Sequence, residues 1–333
     1  MKKIINDPQR FVDEMIEGIT LAHPDLVKTP GDDPRILVRA DAPVAGRVGI
    51  VTGGGSGHLP LFKGYVGEGL CSGVAIGNVF SSPSGDQCFA ATQAVDGGAG
   101  VLHLYGNYGG DVLNFGLAAD MADLEGIEVR TVLGRDDVAS QPKERRHDRR
   151  GVAGIFFAYK GAGAAAERGD DLETVAAVAE DIVEHTATMG IGLSPMIFPA
   201  TGQPSFDLQD GEMEIGIGIH GEPGIHRGPL ETADEVAEHL VGPIIADLGL
   251  TSGDRIAVLV NGLGATPLEE LYVISRRVHQ IAVERGLRIE RTYVGEYATS
   301  LEMAGASVSF LALDDDRLAL LNAPARSPFF LEA

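Results

Sequence analysis

The sequence predicts an α/β protein of two lobes, each a largely parallel or mixed sheet flanked by helices. Three observations carry that expectation. Short β-type runs repeatedly feed glycine loops and are followed by helical patterns. "RVGIV" enters "TGGGSGHLP"; "GVLHLY" enters "GNYGGD" and then "VLNFGLAADMADL"; "RIAVLV" enters "NGLGATP" and then "LEELYVISRRVHQIAVERG". Strand, loop and helix in that order argue for α/β architecture. The length of 333 residues suits two domains at ~100–200 residues each. Glycine contributes 45 residues, about twice its usual share of ~7%. The glycines cluster without a period, which fits tight loops between regular elements and excludes a collagen-like chain.

The elements follow in order. In the first lobe, residues 1–188, two strands end in the loops "GGGSGH" and "GNYGGD", the second opening a helix. Asp170 with Glu173 has capping-box spacing, and Leu172, Val175, Ala179, Ile182 and Val183 share one face of the helix that follows. The segment 189–212, "MGIGLSPMIFPATGQPSFDLQDGE", is rich in Gly and Pro and reads as the crossing into a second lobe, residues 189–333. In "EMEIGIGI", Met213, Ile215, Ile217 and Ile219 alternate with Glu214, Gly216 and Gly218, a strand signature running up to His220. Thr232 with Glu235 and Thr266 with Glu269 are further capping-box pairs, the latter with Pro267 suited to the first helical position. Leu271, Ile274, Val278 and Ile281 share a face of that last helix, and Gly286 ends it.

Charge and composition narrow the function. The formal net charge is −22, a surface that repels phosphate backbones, so nucleic acid is not an expected partner. The one basic run, "KERRHDRR" at 143–150, reads either as a solvated loop or as a docking patch for an acidic partner. Cys71 and Cys88 lack metal or CxxC spacing and read as small core residues in a reducing cytosol. The start, "MKKIINDPQRF", has no apolar h-region, and every long uncharged stretch is broken by Gly, Pro or Ser. A cytoplasmic chain with no signal peptide and no membrane helix is therefore expected.

His58 and Asp111 each close a glycine loop just after a strand. In an open α/β sheet, ligands bind outside the carboxyl ends of the strands, where both side chains would project. Each has a plainer alternative: Asp111 as a helix N-cap, His58 as a structural histidine. "GGGSG" lacks GxGxxG spacing because the sixth position is His58, and no GxxxxGK[ST] occurs. A dinucleotide-dependent oxidoreductase fails on that spacing. "NGLGATP" is read as a structural loop. The residues alone point to a polar, glycine-lined small-molecule site with two histidines and a carboxylate, and no nucleotide-binding signature.

"GGGSGH-P", "VDGGAGVL", "NYGGDVLNF", "RRGVAG", "GIHGEPGI" and "NGLGATP" together closely resemble the ketose-binding (K) subunit of dihydroxyacetone kinases, from "NDP" at residue 6 to the last strand. The resemblance implies that His220 attacks the ketone of a short-chain ketose and holds it as a covalent hemiaminal. It makes Asp111 the general base for the terminal hydroxyl and His58 a hydrogen-bond partner of the adduct. Gly53, Gly54, Ser56 and Gly57 would line the site. It also implies that this chain binds no nucleotide or metal itself. ATP, or ADP recharged by a phosphotransferase, would sit with Mg²⁺ on an all-helical L subunit, either fused or separate. The chain stops at Ala333, so that partner is expected in trans, and a homodimer is the usual assembly.

Two positions depart from the family's commonest words, "GGGSGHEP" and "KNYTGD". Leu59 stands for a carboxylate, and Gly106 for a lysine that contacts substrate. Losing the lysine opens volume and removes a donor, so a larger ketose is expected, such as the four-carbon erythrulose. Some relatives bind the ketose through the same histidine yet serve as sensors or co-activators. Asp111 favours catalysis, because a sensor needs no base.

Overall fold

The computed structural model describes residues 2–333. The chain forms two compact units that interleave along the sequence. One comprises Met1–Gly134, Phe157–Asp181 and Ala319–Ala333, the other Arg135–Phe156 and Ile182–Leu318. A single cut near 188 therefore does not describe the division. The Gly/Pro-rich stretch that suggested it opens with a strand of the second unit, and the chain returns to the first unit after Leu318.

The first unit is built on strands β1 (Val27–Lys28), β2 (Ile36–Arg39), β3 (Gly49–Ser56), β4 (Gly73–Val79), β5 (Val101–Gly106) and β6 (Val129–Gly134). Their order is β1-β2-β4-β3-β5-β6. β4, β3, β5 and β6 pair in parallel, and β1 and β2 complete one edge antiparallel. Helices α1 (Phe11–Ala22), α2 (Gly85–Val95), α3 (Gly109–Leu124), α4 (Ile155–Arg168) and α5 (Leu172–Glu184) follow in chain order. β3 is buried along its whole length, as a strand with parallel neighbours on both sides should be. Val51, Ala75, Cys88, Ala91, Tyr105 and Phe115 pack there with no exposed surface above a few per cent. Burying such side chains contributes roughly 1.5–3 kcal/mol for each large one. Both cysteines lie in this interior.

The second unit holds β7 (Thr186–Ser194), β8 (Glu212–Ile215), β9 (His226–Pro229), β10 (Arg255–Gly262), β11 (Arg288–Gly295) and β12 (Ala304–Leu313), in the order β11-β10-β12-β7-β8-β9. Only β10 and β11 run parallel; the other four pairings are antiparallel. This sheet is mixed and mostly antiparallel, because β7, β8 and β9 follow one another through loops with no crossover helix between them. Helices α6 (Ala233–Leu248) and α7 (Leu268–Glu284) lay Leu240, Ile244, Val278 and Ile281 on Val258, Val260 and Phe310 of the strands.

Several local expectations hold and several shift. Thr232 and Glu235 form the reciprocal capping box of α6. Thr266 instead bonds the backbone of Gly305 twice, donating to its carbonyl at 2.7 Å and accepting from its N–H at 2.8 Å. α7 then starts behind Pro267 with no side-chain cap. Asp171, not Asp170, accepts the cap hydrogen bond from the Thr174 N–H, because Asp170 is drawn to Arg168. The strand expected through residue 219 stops at Ile215, where Gly216 takes φ +80° and turns the chain. The basic run is largely exposed, as a solvated loop would be, but three of its arginines are engaged with the fold. Arg149 is buried and clasps Asp247 through two nitrogens at 2.8 Å each, Arg150 pairs with Asp137, and Arg146 donates to the Glu184 carbonyl.

The chain ends in helix α8 (Asp315–Leu321) and a short hairpin, β13 (Ala325–Arg326) with β14 (Leu331–Glu332). The hairpin lies along residues 64–69. The Ser327 hydroxyl donates to the Gly64 carbonyl at 2.7 Å, and the Arg326 N–H to that of Glu68 at 2.8 Å. A Cβ on Gly67 would overlap the Arg326 carbonyl, and one on Gly69 that of Pro324. The buried Lys160 ammonium donates to the Ala323 carbonyl and stands 5.6 Å from the Phe330 ring centre. No helix among the described residues is long and apolar enough to cross a membrane.

Candidate functional site

In the first unit, β3 and β5 are parallel neighbours. The loops that leave their carboxyl ends therefore emerge at the same edge of the sheet, and these are the loops of His58 and Asp111. The glycines of β3 make room for rings. A Cβ at Gly53 would meet Phe115 at 2.8 Å, one at Gly54 would overlap Phe62, and one at Gly57 would overlap Phe80. Gly57 also takes φ +113°, open to glycine and costly to other residues. Between Phe62 and Phe80 the His58 side chain is buried. It stacks on Phe80 at 4.8 Å between centroids and 19° between planes, and presents its face or edge to Phe62 at 90°. Phe80 itself holds φ +54°, an unfavourable backbone state for a side chain with a Cβ. Ser56 spends its hydroxyl on the Gly77 carbonyl at 2.9 Å. Of the residues expected to line the site, Gly54 and Gly57 leave room for the two rings that flank His58.

Asp111 lies within the first turn of α3, whose N-cap position is Tyr108. It is not the N-cap. A carboxylate there faces the positive end of the helix, and it is 5% exposed. Burial first, and the charge of Asp111 second, push the Tyr105 phenol and the Cys88 thiol above their ordinary ranges. Gly106 is the last residue of β5, buried and paired with Gly134 of β6.

His220 belongs to the second unit. It sits on a tight turn in which the Gly218 N–H donates to the Glu222 carbonyl and the Gly221 N–H to that of Gly218, both at 3.0 Å. Glu222 holds the histidine at two points. One carboxylate oxygen contacts the ring Nδ1 at 2.9 Å, and the other accepts the His220 backbone N–H at 2.9 Å. The ring is 25% exposed. Burial alone would raise the Glu222 carboxyl, but the hydrogen bond and charge of His220, with Arg150 beyond, bring it down to about 2. It is ionised at any physiological pH. An ionised carboxylate on Nδ1 calls for a proton on that nitrogen, so in the neutral ring the lone pair lies on Nε2.

Behind Glu222 stands Arg150, 3.8 Å from its second oxygen and 2.8 Å from Asp137. Burial, with the charge of Asp136, pushes the Asp137 carboxyl up to about 6 against the pull of Arg150. Glu222, Arg150 and Asp137 were not singled out from the sequence. Glu222 lies inside "GIHGEPG", where it reads as a turn residue, and Arg150 inside the basic run. No spacing rule connects residues 137, 150 and 222. Among the described residues, no group of three or more His, Cys, Asp or Glu side chains is arranged to hold a metal ion.

A family profile described as the Dak1 domain matches residues 17–329. The dihydroxyacetone-binding subunit DhaK of a PTS-dependent dihydroxyacetone kinase 2 from Listeria innocua is 44% identical over 330 residues, 99% of each chain. An L-erythrulose kinase from Pectobacterium atrosepticum is also 44% identical, over 99% of this chain but 56% of its own length. Among solved structures, a dihydroxyacetone kinase operon co-activator, DhaQ, superposes with a TM-score of 0.89 at 33% identity, covering 96% of this chain and 98% of that one. Profile and relatives agree: the chain belongs to the Dak1 family, and its relatives include DhaK subunits of dihydroxyacetone kinases.

Proposed function

We propose that the chain is the ketose-binding subunit of a dihydroxyacetone-type kinase, a phosphotransferase with an alcohol acceptor. It holds a short ketose as a hemiaminal on His220 while nucleotide and Mg²⁺ on a separate L subunit phosphorylate the terminal hydroxyl. The observation that carries the reading is the Glu222 carboxylate on His220 Nδ1. It makes Nε2 the nucleophile. The Nε2 lone pair forms the C–N bond, the carbonyl π pair moves onto oxygen, and that oxygen takes up a proton. The substituted ring, still carrying its Nδ1 proton, is then cationic beside an anionic Glu222. In this reading His58 hydrogen-bonds the adduct oxygen and Asp111 accepts the proton of the hydroxyl being phosphorylated. Tethering removes translational freedom before transfer, and it rejects polyols such as glycerol, which have no carbonyl. The reading places the subunit in the cytoplasm as a homodimer.

Leu59 and Gly106 favour a four-carbon ketose over dihydroxyacetone; relatives named for either sugar stand at the same 44% identity. The test is the mass of the intact chain in native electrospray, without denaturant or reductant, with dihydroxyacetone or erythrulose, for wild type and His220→Ala. The expected result is an adduct with erythrulose at lower concentration than with dihydroxyacetone, and none in the variant. An adduct that survives in His220→Ala would overturn the anchor. A preference for dihydroxyacetone would overturn the specificity argument alone. The co-activator similarity supports a second reading, a non-catalytic ketose sensor. With an L subunit and ATP added, phosphorylated ketose that disappears in Asp111→Asn, with the adduct retained, decides for catalysis.

A further inference from the structure

The turn that carries His220 buries Ile217 and Ile219 and is also supported by charge. A small cavity lies under it, lined by Asp137, Gly190, Ile217, Gly218, Asn261 and Ser307. At Gly218 two charged groups converge: a Cβ there would overlap the second oxygen of Glu222 and come within 2.6 Å of an Arg150 nitrogen. The turn must therefore be glycine at 218 for the carboxylate and the guanidinium to face each other. Arg150 is itself fixed. Its Nε and one terminal nitrogen grip the same Asp137 oxygen at 2.9 and 2.8 Å, its N–H is bonded to the Ser140 hydroxyl at 3.1 Å, and its carbonyl accepts from the Asp137 N–H at 3.1 Å. Asp137 in turn anchors the Ala139 N–H. The remaining terminal nitrogen points along the Glu222 side chain.

We infer that Arg150, braced by Asp137, is a positioning residue for His220: it holds the Glu222 carboxylate so that one oxygen stays on the ring Nδ1 and Nε2 stays presented. This rests on the reading of His220 as the ketose anchor and names the residue that acts on it at one remove. A guanidinium suits the task because its planar fork spans both carboxylates, whereas a lysine ammonium offers a single centre. Without Arg150 the second oxygen of Glu222 keeps only the backbone N–H, and the carboxylate is free to rotate away from the ring. For histidines that ligate metals, loss of the outer partner costs about 10–100-fold, and an effect at the lower end of that range is expected here.

The test uses the full chain labelled with ¹⁵N-histidine, and two probes, dihydroxyacetone and erythrulose. Without ketose, wild type should show one protonated and one lone-pair ring nitrogen for His220, and Arg150→Gln should move both signals towards averaged values. With ketose, the concentration for half-maximal adduct should rise about tenfold in Arg150→Gln, with Arg150→Lys between the two. Ring signals unchanged and half-saturation within twofold of wild type would overturn the role. If wild type forms an adduct with neither ketose while Arg150→Gln still shifts the ring signals, the positioning role stands and the ketose reading falls. Should Arg150→Gln not fold, Gly218→Ala tests the same contact by displacing both groups, and wild-type behaviour there would overturn the role equally.

Discussion

Glu222 holds His220 by both its ring and its backbone, so the side chain has little freedom to choose a tautomer or swing. Its charge matters separately from its shape. A Gln at 222 has a single acceptor oxygen, so it can serve the ring Nδ1 or the backbone N–H but not both, and it cannot oppose the positive ring of the adduct. Glu222→Gln should therefore weaken adduct formation about tenfold while leaving the melting temperature close to wild type. Adduct formed against ketose concentration, beside a thermal scan, checks this; an unchanged half-saturation would show that the carboxylate only shapes the turn. Because the Glu222 carboxyl sits at about 2, its own titration should leave no inflection in adduct formation between pH 5 and 8.

Strand β5 brings a second histidine into the core, with a different consequence. His103 is fully buried, shares a 2.8 Å hydrogen bond with the Thr92 hydroxyl and meets Phe115 edge-on. Burial lowers its pKa from 6.5 to about 4. Between those values the unfolded chain takes up a proton that the folded chain refuses, so stability falls as pH drops from 6.5 towards 4. At pH 5 the loss is roughly 2 kcal/mol. Asp137 works the other way: raised to about 6, it protonates in the fold before it does in the unfolded chain, and acid stabilises there. The two oppose each other, so the measurement is a difference. Urea unfolding of wild type and His103→Phe at pH 7.5 and pH 5 should show wild type losing about 2 kcal/mol more on acidification than the variant; equal losses would remove His103 as the cause.

How far elements can be read in advance follows from the same locality. β3, β5 and β10 were legible because each runs apolar residues into glycine, and α3 and α7 because a 3.6-residue period follows β5 and β10. The end of β8 was not, because alternation continues through Ile217 and Ile219 while the backbone of Gly216 turns. Thr266 carries a capping signature, yet it serves β12, a partner 39 residues away. The site divides likewise. His58, Asp111 and His220 lie in recognisable words, whereas Arg150 and Asp137 are visible only once residues 137, 150 and 222 are brought within reach of one another.

At the scale of the molecule, the return of residues 319–333 to the first unit makes that unit depend on a distant stretch of chain. The hairpin covers backbone at Gly64, Gly67 and Gly69, just beyond the ring of Phe62 that borders His58. Removing residues 324–333 should uncover that loop, lower the urea midpoint, and let protease cut first between residues 60 and 71. Cleavage elsewhere with an unchanged midpoint would show the hairpin to be dispensable.

The hairpin also imposes an order in time. A chain emerging from the ribosome presents β3 and His58 early, but the segment that closes over the following loop is made only after the whole second unit has been synthesised. Folding that proceeds from the amino terminus must leave the first unit unfinished through all of that synthesis, with its glycine-lined flank open. The loop that follows His58 therefore gains its cover only after the segment carrying His220 has already been made.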